Sequence, residues 1–157
     1  MRITLIAIGK TDSAELEQLM DVYSKRLKHY IRFEIHLIPD LRNSKNLSEA
    51  QQRDREGELL LARLQPSDHL ILLDERGTAY SSLDFAGYLQ KKMNRSVKNL
   101  VLAIGGPYGF SEAVNAKSEG KISLSKMTFS HQMARLFLLE QLYRGFTILR
   151  NEPYHHQ

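Results

Sequence analysis

Short apolar runs alternate with stretches of helical spacing along the whole chain. Ile3 to Ile8 is an apolar run ended by Gly9 and reads as a first strand. Leu16, Leu19, Met20, Tyr23, Leu27 and Tyr30 recur at three- and four-residue intervals, the mark of an amphipathic helix. "RFEIHLI" then alternates, with Phe33, Ile35 and Leu37 on one face and Glu34 and His36 on the other. That is a half-buried strand, ended by Pro39. After the polar loop "PDLRNSKN", Asn46 with Glu49 has capping-box spacing for a second helix. This helix is polar up to Gly57 and apolar at Leu59, Leu60, Leu61 and Leu64. "HLILLD" and "NLVLAIG" are continuously apolar, as expected of parallel strands covered on both faces. Between them Ser81 is placed to cap a helix carrying Leu83, Phe85, Tyr88 and Leu89. Ser111 is placed to cap a short helix, and "KISLSKMTF" reads as a short strand. The order predicts an α/β fold, with a mostly parallel sheet and helices on both faces. No repeat, low-complexity segment or linker interrupts it, so residues 1–157 read as one domain.

Ser130 is placed to cap a last helix, "HQMARLFLLEQLYRGFTIL". Met133, Leu136, Phe137, Leu138, Leu139 and Leu142 spread beyond one narrow stripe. A helix apolar on nearly all sides needs more than one cover. A homodimer interface would supply the second cover, and burial inside a single domain is the alternative.

Composition narrows the chemistry. The 157 residues include no cysteine, which excludes disulfides and thiolate metal sites and agrees with a reducing compartment. No apolar run approaches the roughly 20 residues of a membrane helix, and "MRITLIAIGK" is too short for a secretory signal. A cytoplasmic protein is expected. The net charge of +4 favours a polyanionic partner such as RNA, and equally describes a mildly basic solvated surface.

Three strand ends are candidate walls of a ligand pocket: Leu73 before "DERG", Ile104 before "GGPYG", and Leu124 before "SKMTF". Ligands of open α/β sheets bind beyond the carboxyl ends of strands. The same residues also describe three tight turns. Gly105, Gly106 and Gly109 match neither G-x-G-x-x-G nor the G-K-[ST] ending of a P-loop, so no phosphate cradle is indicated. At the other end, "NEPYHH" offers Tyr154, His155 and His156, side chains that stack on bases and handle protons. Ends of chains are often frayed, and this one carries no acidic cluster to support a metal.

"LAIGGPYGF", "SLSKMTFSHQMARLFLLEQLYRGF" and "NEPYHH", in this order and spacing, resemble the RlmH family, and "ITLIAIGK" resembles its start. These are small SPOUT-class methyltransferases that modify large-subunit ribosomal RNA. The resemblance covers the whole chain and is most specific from Leu100 to His155. It implies a trefoil-knotted fold, with the knot and active site in approximately residues 70–157, and a homodimer. It implies S-adenosylmethionine as methyl donor, no metal, and N3 of a pseudouridine in 23S rRNA of the assembled ribosome as acceptor. A SPOUT enzyme acting on tRNA and a non-enzymatic RNA-binding dimer are the alternatives.

Carried onto this chain, the resemblance places the donor against Leu73, Gly105, Leu124, Ser125, Lys126, Met127, Thr128 and Phe129. It places Arg144, Tyr154 and His155 at the methyl acceptor. Arg144 is expected to bind RNA or stabilise an anion, His155 to accept a proton, and Tyr154 to stack or orient. Glu140 stands four residues before Arg144, so a simple helical ion pair is the competing role. His131 matches the motif and is expected to be structural. Ser130 stands where relatives commonly have proline, and Thr78 where they often have lysine, which removes a possible phosphate contact. Arg42, Lys45, Arg76 and Lys126 are candidate ribosome contacts by charge and location.

Overall fold

The computed structural model describes residues 1–42 and 44–156, so Asn43 of the polar loop and the last residue of the expected domain lie outside the described residues. Among the described residues there are five strands: β1 (Arg2–Ile8), β2 (Arg32–Ile38), β3 (Asp68–Ala79), β4 (Asn99–Ile104) and β5 (Gly120–Ser123). They form one sheet in the order β2-β1-β4-β3-β5, and every pairing is parallel. The helices are α1 (Ala14–Leu27), α2 (Glu49–Leu61), α3 (Ser82–Asn94), α4 (Glu112–Lys117) and α5 (His131–Leu149).

Strand alternation divides the core in two. Ile3, Leu5 and Ala7 of β1, with Leu100, Leu102 and Ile104 of β4, face α1, α3 and α5. Ile6 and Ile8, with Val101 and Ala103, face α2 and α4, where they meet Leu60 and Val114. Both faces of the central strands are therefore apolar, which is why these runs show no polar alternation.

Each α-helix starts on a serine. Ser13, Ser48, Ser81, Ser111 and Ser130 each accept the backbone N–H three residues on. Each such cap stabilises its helix by about 1 kcal/mol. At α2 the capping box is Ser48 with Gln51, not Asn46 with Glu49. Asn46 instead ends a short 3-10 turn, Ser44–Asn46. The strand expected over "KISLSKMTF" stops at Ser123, and the rest is loop.

Helix α5 packs against both α1 and α3, with Leu138, Leu139 and Leu142 fully buried. Much of its apolar surround is thus covered within one chain. Met133 and Phe137 stay partly exposed, beside Phe129, whose ring lies 4.7 Å from that of Phe137. Arg135, on the same buried stripe, is fully enclosed and donates to the Ile8 carbonyl at 2.6 Å. It joins the last helix to the carboxyl end of the first strand.

Candidate active site

Three strand ends on the carboxyl side of the sheet converge on one cavity of about 750 Å³. That volume suits a drug-sized ligand.

The first wall is an excursion within β3. Leu73 pairs with Ile122, and after the four residues of "DERG" Thr78 pairs with Ile122 again. Asp74 pins the excursion by accepting from the Arg76 backbone N–H at 2.9 Å and from Lys121 Nζ at 3.0 Å. Burial would push the Asp74 carboxyl up, but those two donors together hold it below its ordinary range. Gly77 is pressed on β5, where an added Cβ would fall 2.6 Å from backbone atoms of Lys121 and Ile122. The second wall is Gly105 to Phe110, closed by a Gly109 N–H to Gly106 carbonyl bond of 3.1 Å. Gly109 has φ +75°, a conformation glycine adopts without strain. The third wall is the loop after β5, tied to the first by Thr128 Oγ1 donating to Glu75 at 3.0 Å.

Leu73, Gly105, Leu124, Ser125, Met127, Thr128 and Phe129 all line the cavity, and Lys126 between them does not. His131 and Ala134, in the first turn of α5, close one side. Sequence reasoning did not single out Arg53, whose side chain lines the cavity from α2 and whose Nε is closed to solvent without a partner.

Arg144, Tyr154 and His155 form a separate cluster. Tyr154 is not frayed. Asn151 takes a left-handed turn at φ 55°, and the Glu152 N–H returns to the Thr147 carbonyl at 2.9 Å. Tyr30 adds an anchor by donating to Glu152. The Arg144 guanidinium is held by Glu140, with Nε donating at 3.1 Å, and lies 4.8 Å from the Tyr154 ring centroid. Its Nη1 stands 3.4 Å from His155 Nδ1. The ion pair with Glu140 expected as the competing role of Arg144 is present, and the same arginine also meets the tail. Tyr154 donates to Glu140 at 3.1 Å, and burial first, then Tyr23 and the Glu140 charge, push its hydroxyl pKa well up. None of the three residues lines the cavity of their own chain. Arg144 stands ten residues beyond Ala134 on α5, about 15 Å along the helix axis.

The sequence profile of the family described as "Predicted SPOUT methyltransferase" matches residues 1–155. The chain belongs to the SPOUT methyltransferase family. It is 64% identical over 157 residues to a Flavobacterium johnsoniae protein and 60% identical to one from Christiangramia forsetii. Both are called ribosomal RNA large subunit methyltransferase H, and each match covers 100% of both chains. A probable methylase family protein from Haemophilus influenzae has the same fold at 13% identity. Its TM-score is 0.53, with 99% of this chain and 70% of that chain covered. In this SPOUT chain Thr78 sits exposed in β3 beyond the excursion, and Arg76 reaches the cavity instead. Arg42 and Lys45 are exposed in the connection between β2 and α2.

Proposed function

We propose that the chain transfers a methyl group from S-adenosylmethionine to N3 of a pseudouridine in 23S rRNA of assembled ribosomes, as a cytoplasmic homodimer. The observation that carries this reading is the convergence of the three strand-end loops on one cavity. Its chemistry fits the donor. Leu73, Ile104, Ile122 and Leu124 offer apolar faces for adenine, Gly105 and Gly106 offer bare backbone, and Arg53 at the cavity wall offers a positive charge for a carboxylate. When bound, the donor supplies an already activated methyl group, so no metal is needed. Residues 1–157 would then act as one unit, with a trefoil knot and the site in approximately residues 70–157. No helix among the described residues is long and apolar enough to cross a membrane. The relatives named for ribosomal RNA support the acceptor.

An imide nitrogen must lose its proton to attack. Arg144, fixed by Glu140, stabilises the anion. An arginine N–H can only donate, so Nδ1 of His155 is the unprotonated ring nitrogen, and it accepts the proton in exchange for the Arg144 contact. Tyr154 keeps its own proton and orients or stacks. The 15 Å offset along α5 is bridged by a second copy, whose tail cluster completes the cavity. The exposed side chains of Met127, Met133 and Phe137 beside the cavity supply apolar surface for that contact.

Transfer of labelled methyl to ribosomes, free rRNA and tRNA is the test. Ribosomes are expected to be the substrate, and His155→Ala to lower kcat by about a hundredfold. Labelling of tRNA instead, or full activity in the variant, refutes the reading.

A further inference from the structure

One carboxylate lies behind the glycine loop rather than in the cavity. Glu56 of α2 is 4% exposed. Its Oε1 accepts from Gln52 at 2.9 Å, while Oε2 is closed to solvent and has no partner. A Cβ on Gly106 would fall 2.5 Å from that Oε2, so the carboxylate packs directly on the Gly106 backbone. Gly106 in turn lines the cavity. The next residue, Gly57, seals the contact: a Cβ there would fall 2.2 Å from Ser111 Oγ, the cap of α4.

The groups facing Glu56 are Gln52 and Arg53 on its own helix, Asp40 beyond β2, and His131 at the start of α5. Burial pushes its carboxyl up and Asp40 adds to that, while Gln52 and His131 pull the other way without restoring the ordinary value. Glu56 takes part in none of the ion pairs among the described residues. An enclosed carboxylate with no ion-pair partner is costly to keep ionised. The cost falls if a cation arrives on the other side of the loop.

We propose that Glu56 is a positioning residue for the methyl donor, its enclosed carboxylate attracting the sulfonium across the Gly106 backbone and favouring it over the uncharged thioether product. The inference rests on the donor reading above. The donor sulfur bears a positive charge that is lost once its methyl group has left, so the same carboxylate holds the donor and releases the product. Binding of a cation also favours ionised Glu56. Donor affinity should therefore rise as pH increases through the raised Glu56 pKa, and product affinity should not.

Calorimetric titration of the full chain with S-adenosylmethionine and with S-adenosylhomocysteine, from about pH 4, below the ordinary carboxyl value, to about pH 8, tests this. Glu56→Gln should weaken the donor about three- to tenfold, a Coulomb attraction across one backbone layer. Product affinity should change less than about twofold, and the pH dependence should vanish. Glu56→Asp should keep the donor preference, and thermal melts establish that both variants fold. Equal losses for the two ligands, no loss for either, or a pH-independent preference in the unaltered chain would overturn the inference alone. An unaltered chain that binds neither ligand overturns the donor reading with it.

Discussion

Gly77 ends the β3 excursion beside the cavity, pressed against β5, and Gly77→Ala measures how rigid that wall is. The added Cβ would lie 2.6 Å from three backbone atoms of Lys121 and Ile122. Ordinary contact begins at 3.4 Å, so β5 must retreat by about 0.8 Å. No flexible side-chain end is available to give way. Overpacking against backbone costs about 2–3 kcal/mol. For a chain of this size, each kcal/mol lowers Tm by about 2–4 °C, so a fall of about 4–12 °C is expected. The retreat also drags the loop after β5, and donor affinity should fall with it. Gly87→Ala is the matched control: nothing lies within 4 Å of its added Cβ, inside α3. Alanine there should stabilise by about 0.5–1 kcal/mol. Scanning calorimetry and donor titration of both variants decide the matter. A Gly77→Ala chain that melts within about 1 °C of the unaltered protein and binds donor normally would refute the reasoning.

Arg135→Met should cost about 1–3 kcal/mol, because it leaves the Ile8 carbonyl without its 2.6 Å donor in a buried position. Urea unfolding measures this, and an unchanged midpoint would show that the carbonyl finds another partner. Asp74 has a folded pKa below its unfolded one, so its contribution is present above the unfolded value and lost as pH falls through the folded value. Asp74→Asn should therefore flatten the acid limb of a Tm-against-pH curve, and two parallel limbs would contradict that.

Much of the frame was legible because its signals are local. The apolar runs of β1, β3 and β4, the caps Ser81, Ser111 and Ser130, and the three strand-end walls depend on near neighbours along the chain. What escaped depends on tertiary contact. Asn46–Glu49 and Ser48–Gln51 have the same spacing, and only the path of the chain after β2 chooses between them. The second half of β3 exists because β5 pairs with it again after the excursion. Glu56 and Arg135 left a fainter trace. Glu56, Gly57 and Leu60 share one buried face, and Arg135 lies three, four and seven residues before Leu138, Leu139 and Leu142. A charged residue on an apolar stripe was the available sign of an enclosed polar group. The offset between Ala134 and Arg144 was implicit in the length of the last helix, but which of its residues reach the cavity depends on how that helix docks.

The strand order also governs how the chain is made. β1 leaves the ribosome before β2 and β4, and with β2 beside it only one of its edges is paired. Its other edge waits for β4, since Arg2 pairs with Asn99, and its carboxyl end waits for Arg135. Such non-local parallel pairings are slow to close. During synthesis an apolar strand edge therefore stays open until β4 has emerged, a period in which aggregation competes with folding. The cavity needs β5 and the start of α5, so a nascent chain cannot bind its ligand before Ala134 has been synthesised.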